Sequence, residues 1–171
     1  MPEPEPAPDS AAARLIDEIL YLMPDMATAT VQLNELVAGR LGVSTTDLQC
    51  LHALAKADGP LGAGALATRL ARTTGAVTRM IDRLEAAGYV ERAADPNDRR
   101  RALVRVTERG RTLPAAHYDG MGRRATELLS RFDERQLRAV LTFVAATRDD
   151  AMTEATLLRE TPAAEDEGRA R

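Results

Sequence analysis

Apolar positions recur at helical spacing through most of the chain and switch once to alternation. From Ser10 to Arg40, Leu15, Ile19 and Leu22 share a face, followed by Met26, Leu33, Leu36 and Val37, as in an amphipathic helix. Pro24 lies inside that pattern and predicts a kink or break. Gly42 predicts the end of the segment. Thr45 or Thr46 is placed to cap a second helix carrying Leu48, Leu51 and Leu54, and Gly59-Pro60 closes it. A short helix follows with Leu66, Ala67 and Leu70 inward. It has no good capping residue, because Gly62 and Gly64 flank its start. Arg72-Thr73-Thr74 predicts a tight turn, with Thr73 capping the next helix.

That next helix, about 74–87, has two distinct faces. Val77, Met80, Ile81 and Leu84 form an apolar stripe. Gly75, Thr78, Arg79, Asp82 and Arg83 lie opposite, and Gly88 ends the helix. Here the period changes. Tyr89-Val90-Glu91-Arg92 and Ala102-Leu103-Val104-Arg105-Val106 read as two strands around the turn chemistry of Asp95-Pro96-Asn97-Asp98. The product is a hairpin whose tip carries Arg99, Arg100 and Arg101. Helical periodicity returns from Thr107, with Pro114 placed to restart a helix that carries Met121, Ala125, Leu128 and Leu129. Asp133 caps a last helix with Leu137, Val140, Leu141, Val144 and Ala145 on one face, continued by Met152, Leu157 and Leu158. The fold class is therefore mainly α with a small β wing.

Two short helices joined by a tight turn and followed by a hairpin make a winged helix-turn-helix. The second helix of such a pair fits the major groove of B-DNA, roughly 12 Å wide. Its outward face needs donors, and Thr78, Arg79 and Arg83 supply them; an Arg reads guanine O6 and N7 bidentately. Thr74 and Thr78 are short enough to reach phosphates or thymine methyl groups, and Gly75 lets the backbone come close. Asp82 is expected to orient Arg79 across i, i+3. At the hairpin tip, Arg side chains suit the electronegative minor groove. Taken singly, each Arg reads as a solvated surface residue; the arrangement as a whole points to DNA.

Charge sharpens this picture. The 171-residue chain has a net charge of -3. Between Arg69 and Arg111, however, 11 Arg face six Asp and Glu, leaving 12 Lys and Arg against 20 Asp and Glu elsewhere. A basic segment on an acidic body is an electrostatic footprint for nucleic acid. Aromatic residues make up only 3%, which argues against stacking platforms for single strands. No run approaches the roughly 18 apolar residues of a membrane span, and the Pro-rich acidic start does not resemble a signal peptide. The lone Cys50 fits a reducing compartment, so a cytoplasmic protein with no membrane partner is expected. Two His and one Cys without ligand spacing predict no metal site. No phosphate loop or nucleophile motif appears, so neither a cofactor nor enzyme activity is expected. Cys50, among Gln49, Leu51 and Leu54, reads as a small buried hydrophobe rather than an oxidant sensor.

The stretch LATRLARTTGAVTRMIDRLEAAGYVERAADPNDRRRALVRVTERG resembles the core of the multiple-antibiotic-resistance regulator (MarR) family. The run Asp95 to Arg100, with Val104, Val106-Thr107 and Gly110, is similar to that family's wing signature. Thr46 to Leu51 is similar to its second helix. The likeness covers residues 45–112 in motif and 10–158 in layout. It implies an obligate homodimer on a pseudo-palindromic double-stranded operator, with half-sites about one helical turn apart. Carried over by position, Thr78, Arg79 and Arg83 are major-groove residues, Arg100 is the minor-groove wing residue and Asp98 steadies the loop. Arg72 stands where the family has an apolar turn residue; with Thr73 it is assigned to phosphate. Asn97 stands where other branches carry an Arg.

The implied layout has disordered tails at 1–9 and 159–171. An N-terminal dimerisation helix spans 10–44, kinked near Pro24. The winged helix-turn-helix domain spans 45–107 and C-terminal dimerisation helices span 108–158. Members of the family commonly answer to a small-molecule effector held between the dimerisation helices and the winged domain. Tyr21, Met23, Met26, His52, His117 and Tyr118 are the pocket candidates, with His117 and Tyr118 the best placed to hydrogen-bond a ligand. A ligand-responsive repressor is thus the leading expectation. A protein-interaction module and an effector-independent activator or architectural protein stay open beside it.

Overall fold

In the computed structural model, residues 10–95 and 102–161 are described. The wing residues Asp98, Arg99, Arg100 and Arg101 and both predicted tails therefore lie outside the described residues, apart from 159–161, of which Arg159 and Glu160 belong to the last helix rather than to a disordered tail. The chain divides into two compact units, Met1–Asp119 and Gly120–Arg171. This division falls inside a helix. The first turns of that helix belong to the first unit, where Gly110 and Pro114 are buried.

In the first unit, α1 (Ala11–Leu41) starts at Ser10, whose hydroxyl accepts from the Ala13 N–H, and ends at Gly42 with φ 68°. Of the kink or break expected at Pro24, the break does not occur: the helix runs through it. A proline removes one helical hydrogen bond, and the intact turns on either side carry the helix across the gap. Helix α2 (Thr45–Ala55) is capped by Ser44, not by Thr45 or Thr46. The Ser44 hydroxyl accepts from Asp47 N–H while the Asp47 carboxylate accepts from Ser44 N–H, a reciprocal capping box. Strand β1 (Leu61–Gly62) then leads into α3 (Ala63–Leu70), whose N-cap Gly62 offers no side-chain bond. Helix α4 (Thr74–Ala86) and strands β2 (Val90–Ala94) and β3 (Ala102–Val106) complete the winged domain.

The sheet is antiparallel in the order β1-β3-β2. Val90 pairs with Val106 and Ala94 with Ala102; Leu61 pairs with Val104 and Gly62 with Leu103. Its third strand, β1, was not expected. The core gathers α2, α3, α4 and the wing strands around Leu51, Leu54, Leu66, Val77, Ile81, Leu84, Val90 and Val104. Cys50 sits in this core, and burial pushes its thiol up to about 11, which suits a packing residue and not a reactive thiolate.

Helix α5 (Glu108–Leu129) runs unbroken across Pro114, which sits well inside it and does not restart it. In the second unit α6 (Glu134–Glu160) begins at Asp133, whose carboxylate accepts from Gln136 N–H in a second capping box. No residue of α6 is buried in the single chain; Leu141, Val144, Leu157 and Leu158 are exposed. In the first unit, α1 likewise exposes Leu15, Ile19, Leu22 and Leu36. Among the described residues, no helix is long and apolar enough to cross a membrane.

Candidate DNA interface

The turn between α3 and α4 is made by Ala71, which takes a left-handed conformation at φ 52°. Its N–H and that of Arg72 satisfy the last carbonyls of α3, at Thr68 and Ala67. Thr73 then caps α4 as expected, its hydroxyl accepting from Ala76 N–H at 3.2 Å. An open groove of about 670 Å³ runs between the two helices, bordered by Gly64, Thr68, Arg72, Thr73 and Thr74. Arg72 and Thr73 line this groove beside the N-terminus of α4, where backbone N–H groups favour anions.

Helix α4 buries Val77, Met80, Ile81 and Leu84 and exposes Thr74, Gly75, Thr78, Arg79, Asp82 and Arg83. A Cβ at Gly75 would meet nothing within 4 Å, so the backbone there is open to close approach. The Thr78 hydroxyl donates to Thr74 O at 2.9 Å, and the residue is exposed. Arg79 is exposed and pairs with no described residue.

One expectation on this face needs correcting, and one side chain expected to be free is engaged. Asp82 does not orient Arg79. It accepts from Arg92 of β2 at 2.5 Å, and Arg92 also donates to Glu85. A strand side chain crossing from the wing reaches both carboxylates along α4. Arg83, expected to face a base, is paired within the chain. Its Nε and Nη2 donate to the two oxygens of Asp47 at 3.2 and 2.6 Å. Asp47 is 2% exposed and was missed by sequence reasoning. Its only signal was a carboxylate at the third position of a helix behind a Ser. Burial alone would raise the Asp47 carboxyl; the bonds from Arg83 and Ser44 and the Arg83 charge outweigh that and hold it below its ordinary value. The pair's contribution to stability is thus present above the ordinary Asp value and is lost as the pH falls through the lowered one.

The hairpin root is held by its ladder and by a Glu91–Arg105 pair at 2.6 Å between opposed residues. Tyr89, just before β2, ties three elements. Its hydroxyl donates to Leu41 O at the end of α1, its carbonyl accepts from Thr107 N–H, and the Arg109 guanidinium lies 5.1 Å from its ring centroid.

Of the pocket candidates, the structure brings two together. His52 and Tyr118 meet edge to face with ring centroids 5.4 Å apart. The Tyr118 hydroxyl donates to Asn34 Oδ1 at 2.6 Å, and Asn34 was missed because a single Asn on an otherwise apolar helix face carries no local signal. Burial lowers the His52 value, helped by Lys56, and raises that of Tyr118. His52, Asn34, Glu35, Thr45, Gln49 and neighbouring apolar atoms line a cleft of about 120 Å³ between α1 and α2. Tyr21 and Met26, 79% and 64% exposed, lie outside this cleft, nearer the start of α1. His117 is exposed and does not line it; neighbours on a helix point about 100° apart.

A sequence model of the MarR family matches residues 41–101. The HTH-type transcriptional regulator YcgE of Bacillus subtilis is 33% identical over 130 residues, which cover 76% of this chain and 84% of that protein. The multiple antibiotic resistance protein MarR of Escherichia coli is 51% identical over 39 residues, 23% of this chain and 27% of that one. Among solved structures, a mutant of MepR from S. aureus, bound to an oligodeoxyribonucleotide, shares the fold. Its TM-score is 0.55 at 23% identity, covering 75% of this chain and 96% of that one.

Proposed function

This chain belongs to the MarR family of DNA-binding transcription regulators, and on that premise we propose that it works as a homodimer on a pseudo-palindromic operator, repressing its own or neighbouring genes until a small molecule releases it. The observation that carries the reading is the two-sided α4. Its inner face is committed to the core, and its outer face offers Thr74, Gly75, Thr78 and Arg79, with no partner for that Arg among the described residues. Arg99, Arg100 and Arg101, with Asp98, extend that contact to the minor groove on the sequence argument above. The exposed apolar faces of α1 and α6 support self-association, since each Å² removed from water contributes about 25 cal/mol. The α1–α2 cleft, with Asn34, His52 and Tyr118 at hand, suits a small polar effector. Coupling of roughly 1–3 kcal/mol between cleft and operator gives a 5- to 150-fold loss of affinity.

Fluorescence anisotropy on a duplex from the gene's upstream intergenic region, with random duplex as competitor at two salt concentrations, tests this. Selective, salt-sensitive binding is expected. Binding no tighter than to random duplex there, with no site recovered by genome-wide selection either, would move a protein-interaction role to first place. Arg79→Ala should relax base preference at one position per half-site by roughly 1–3 kcal/mol; uniform weakening on all sequences would mean that Arg79 touches only phosphate. Arg100→Ala should weaken binding and flatten the salt dependence, and an unchanged salt slope would remove Arg100 from the interface.

A further inference from the structure

The recognition helix carries two arginines one turn apart on its outer side, and the structure treats them differently. Arg79 has no partner among the described residues, while Arg83 grips a buried carboxylate with two nitrogens. We propose that Asp47 is a positioning residue for DNA recognition, which withholds Arg83 from the DNA and so confines base reading on α4 to Thr78 and Arg79. The inference rests on the DNA-binding reading above and adds to it a division of labour that the sequence does not show.

Three features support it. Asp47 cannot follow Arg83 outward, because the capping box with Ser44 fixes its carboxylate at the first turn of α2. Pulling Arg83 onto a phosphate would strand a buried anion, and an uncompensated buried charge is expensive. The far flank of α4 is held in the same way, with Arg92 bridging Asp82 and Glu85 from β2. Carboxylate pairs thus hold α4 from α2 on one side and from the wing on the other. Bidentate geometry fixes rotation as well as distance, so the Asp47 pair sets which outward residues face the groove.

The test uses the full chain and duplex DNA over a range of salt. The salt slope on random duplex needs no knowledge of the operator. Asp47→Asn removes the charge that holds Arg83 and leaves an isosteric side chain. It should bind random duplex more tightly, with a salt slope steeper by about 0.9 per subunit, and its operator-to-random ratio should fall several-fold. The double variant Asp47→Asn/Arg83→Gln leaves no charge buried or freed. Its slope should return to that of the wild type while its ratio stays reduced. A double variant with a slope shallower than wild type would show that Arg83 already holds a phosphate, and would overturn the proposal. So would an Asp47→Asn protein with wild-type slope and ratio and only a lower melting temperature, the mark of a purely structural pair. If Asp47→Asn does not fold, the double variant decides alone. A wild-type protein with no salt-sensitive DNA binding would instead sink the regulator reading itself, a distinct result.

Discussion

Gly110→Ala is expected to destabilise the winged domain by about 3 kcal/mol or more. A Cβ at this position would stand 2.0 Å from Tyr89 O and 2.9 Å from Val106 Cγ2. Overpacking typically costs roughly 1–3 kcal/mol, and more where the neighbour cannot move. Here it cannot. Tyr89 O accepts from the Thr107 N–H at 3.0 Å, and the Thr107 hydroxyl, which donates to Gly88 O at 2.8 Å with Tyr89 O 3.1 Å away, in turn accepts from Gly110 N–H. The start of α5, the wing strand and Thr107 form one hydrogen-bonded knot with no room for a methyl group. Urea denaturation of the variant beside Gly122→Ala gives the measurement. Gly122 lies in the same helix with nothing within 4 Å of its would-be Cβ, so alanine there should stabilise by roughly 0.5–1 kcal/mol. Equal midpoints for the two variants would mean that the knot is looser than the geometry requires.

Leu84→Ala is expected to cost about 2–5 kcal/mol. Leu84 is fully buried on the inner face of α4, among Leu51, Val77, Ile81 and Val90 in one cluster. Losing it removes apolar area and leaves a cavity under the recognition helix. DNA binding should therefore fail at a temperature where the wild type still binds, and cooling should restore it. A variant that is stable but does not bind would put Leu84 in contact with DNA, contrary to its burial.

Much of this was legible beforehand, and the reasons are local. The stripe Val77, Met80, Ile81, Leu84 is a helix face by spacing alone, and Thr73 and Asp133 are caps by residue type and position. The hairpin followed from alternation around an Asp-Pro-Asn-Asp turn. What escaped was non-local or too short to carry a period. Asp47 looked like any acidic residue in a first helical turn, and its partner lies 36 residues away. Arg83 shares its side of α4 with Arg79, and nothing in the spacing says that one of them folds back. Strand β1 has two residues, below the length at which alternation can be seen, and exists only because β3 offers it an edge. Pro24 and Pro114 carried the right local signal, a missing donor, but long helices absorb that loss.

The division of α4 between an inner face committed to the core and an outer face that the proposed function assigns to DNA bears on how such a protein can change. Substitutions at exposed positions away from special features usually shift stability by no more than about 0.5 kcal/mol. Thr74, Thr78 and Arg79 could therefore drift to a new operator while Val77, Met80, Ile81 and Leu84 keep the fold. Duplicated copies of the gene would be free to diverge in address before they diverge in architecture.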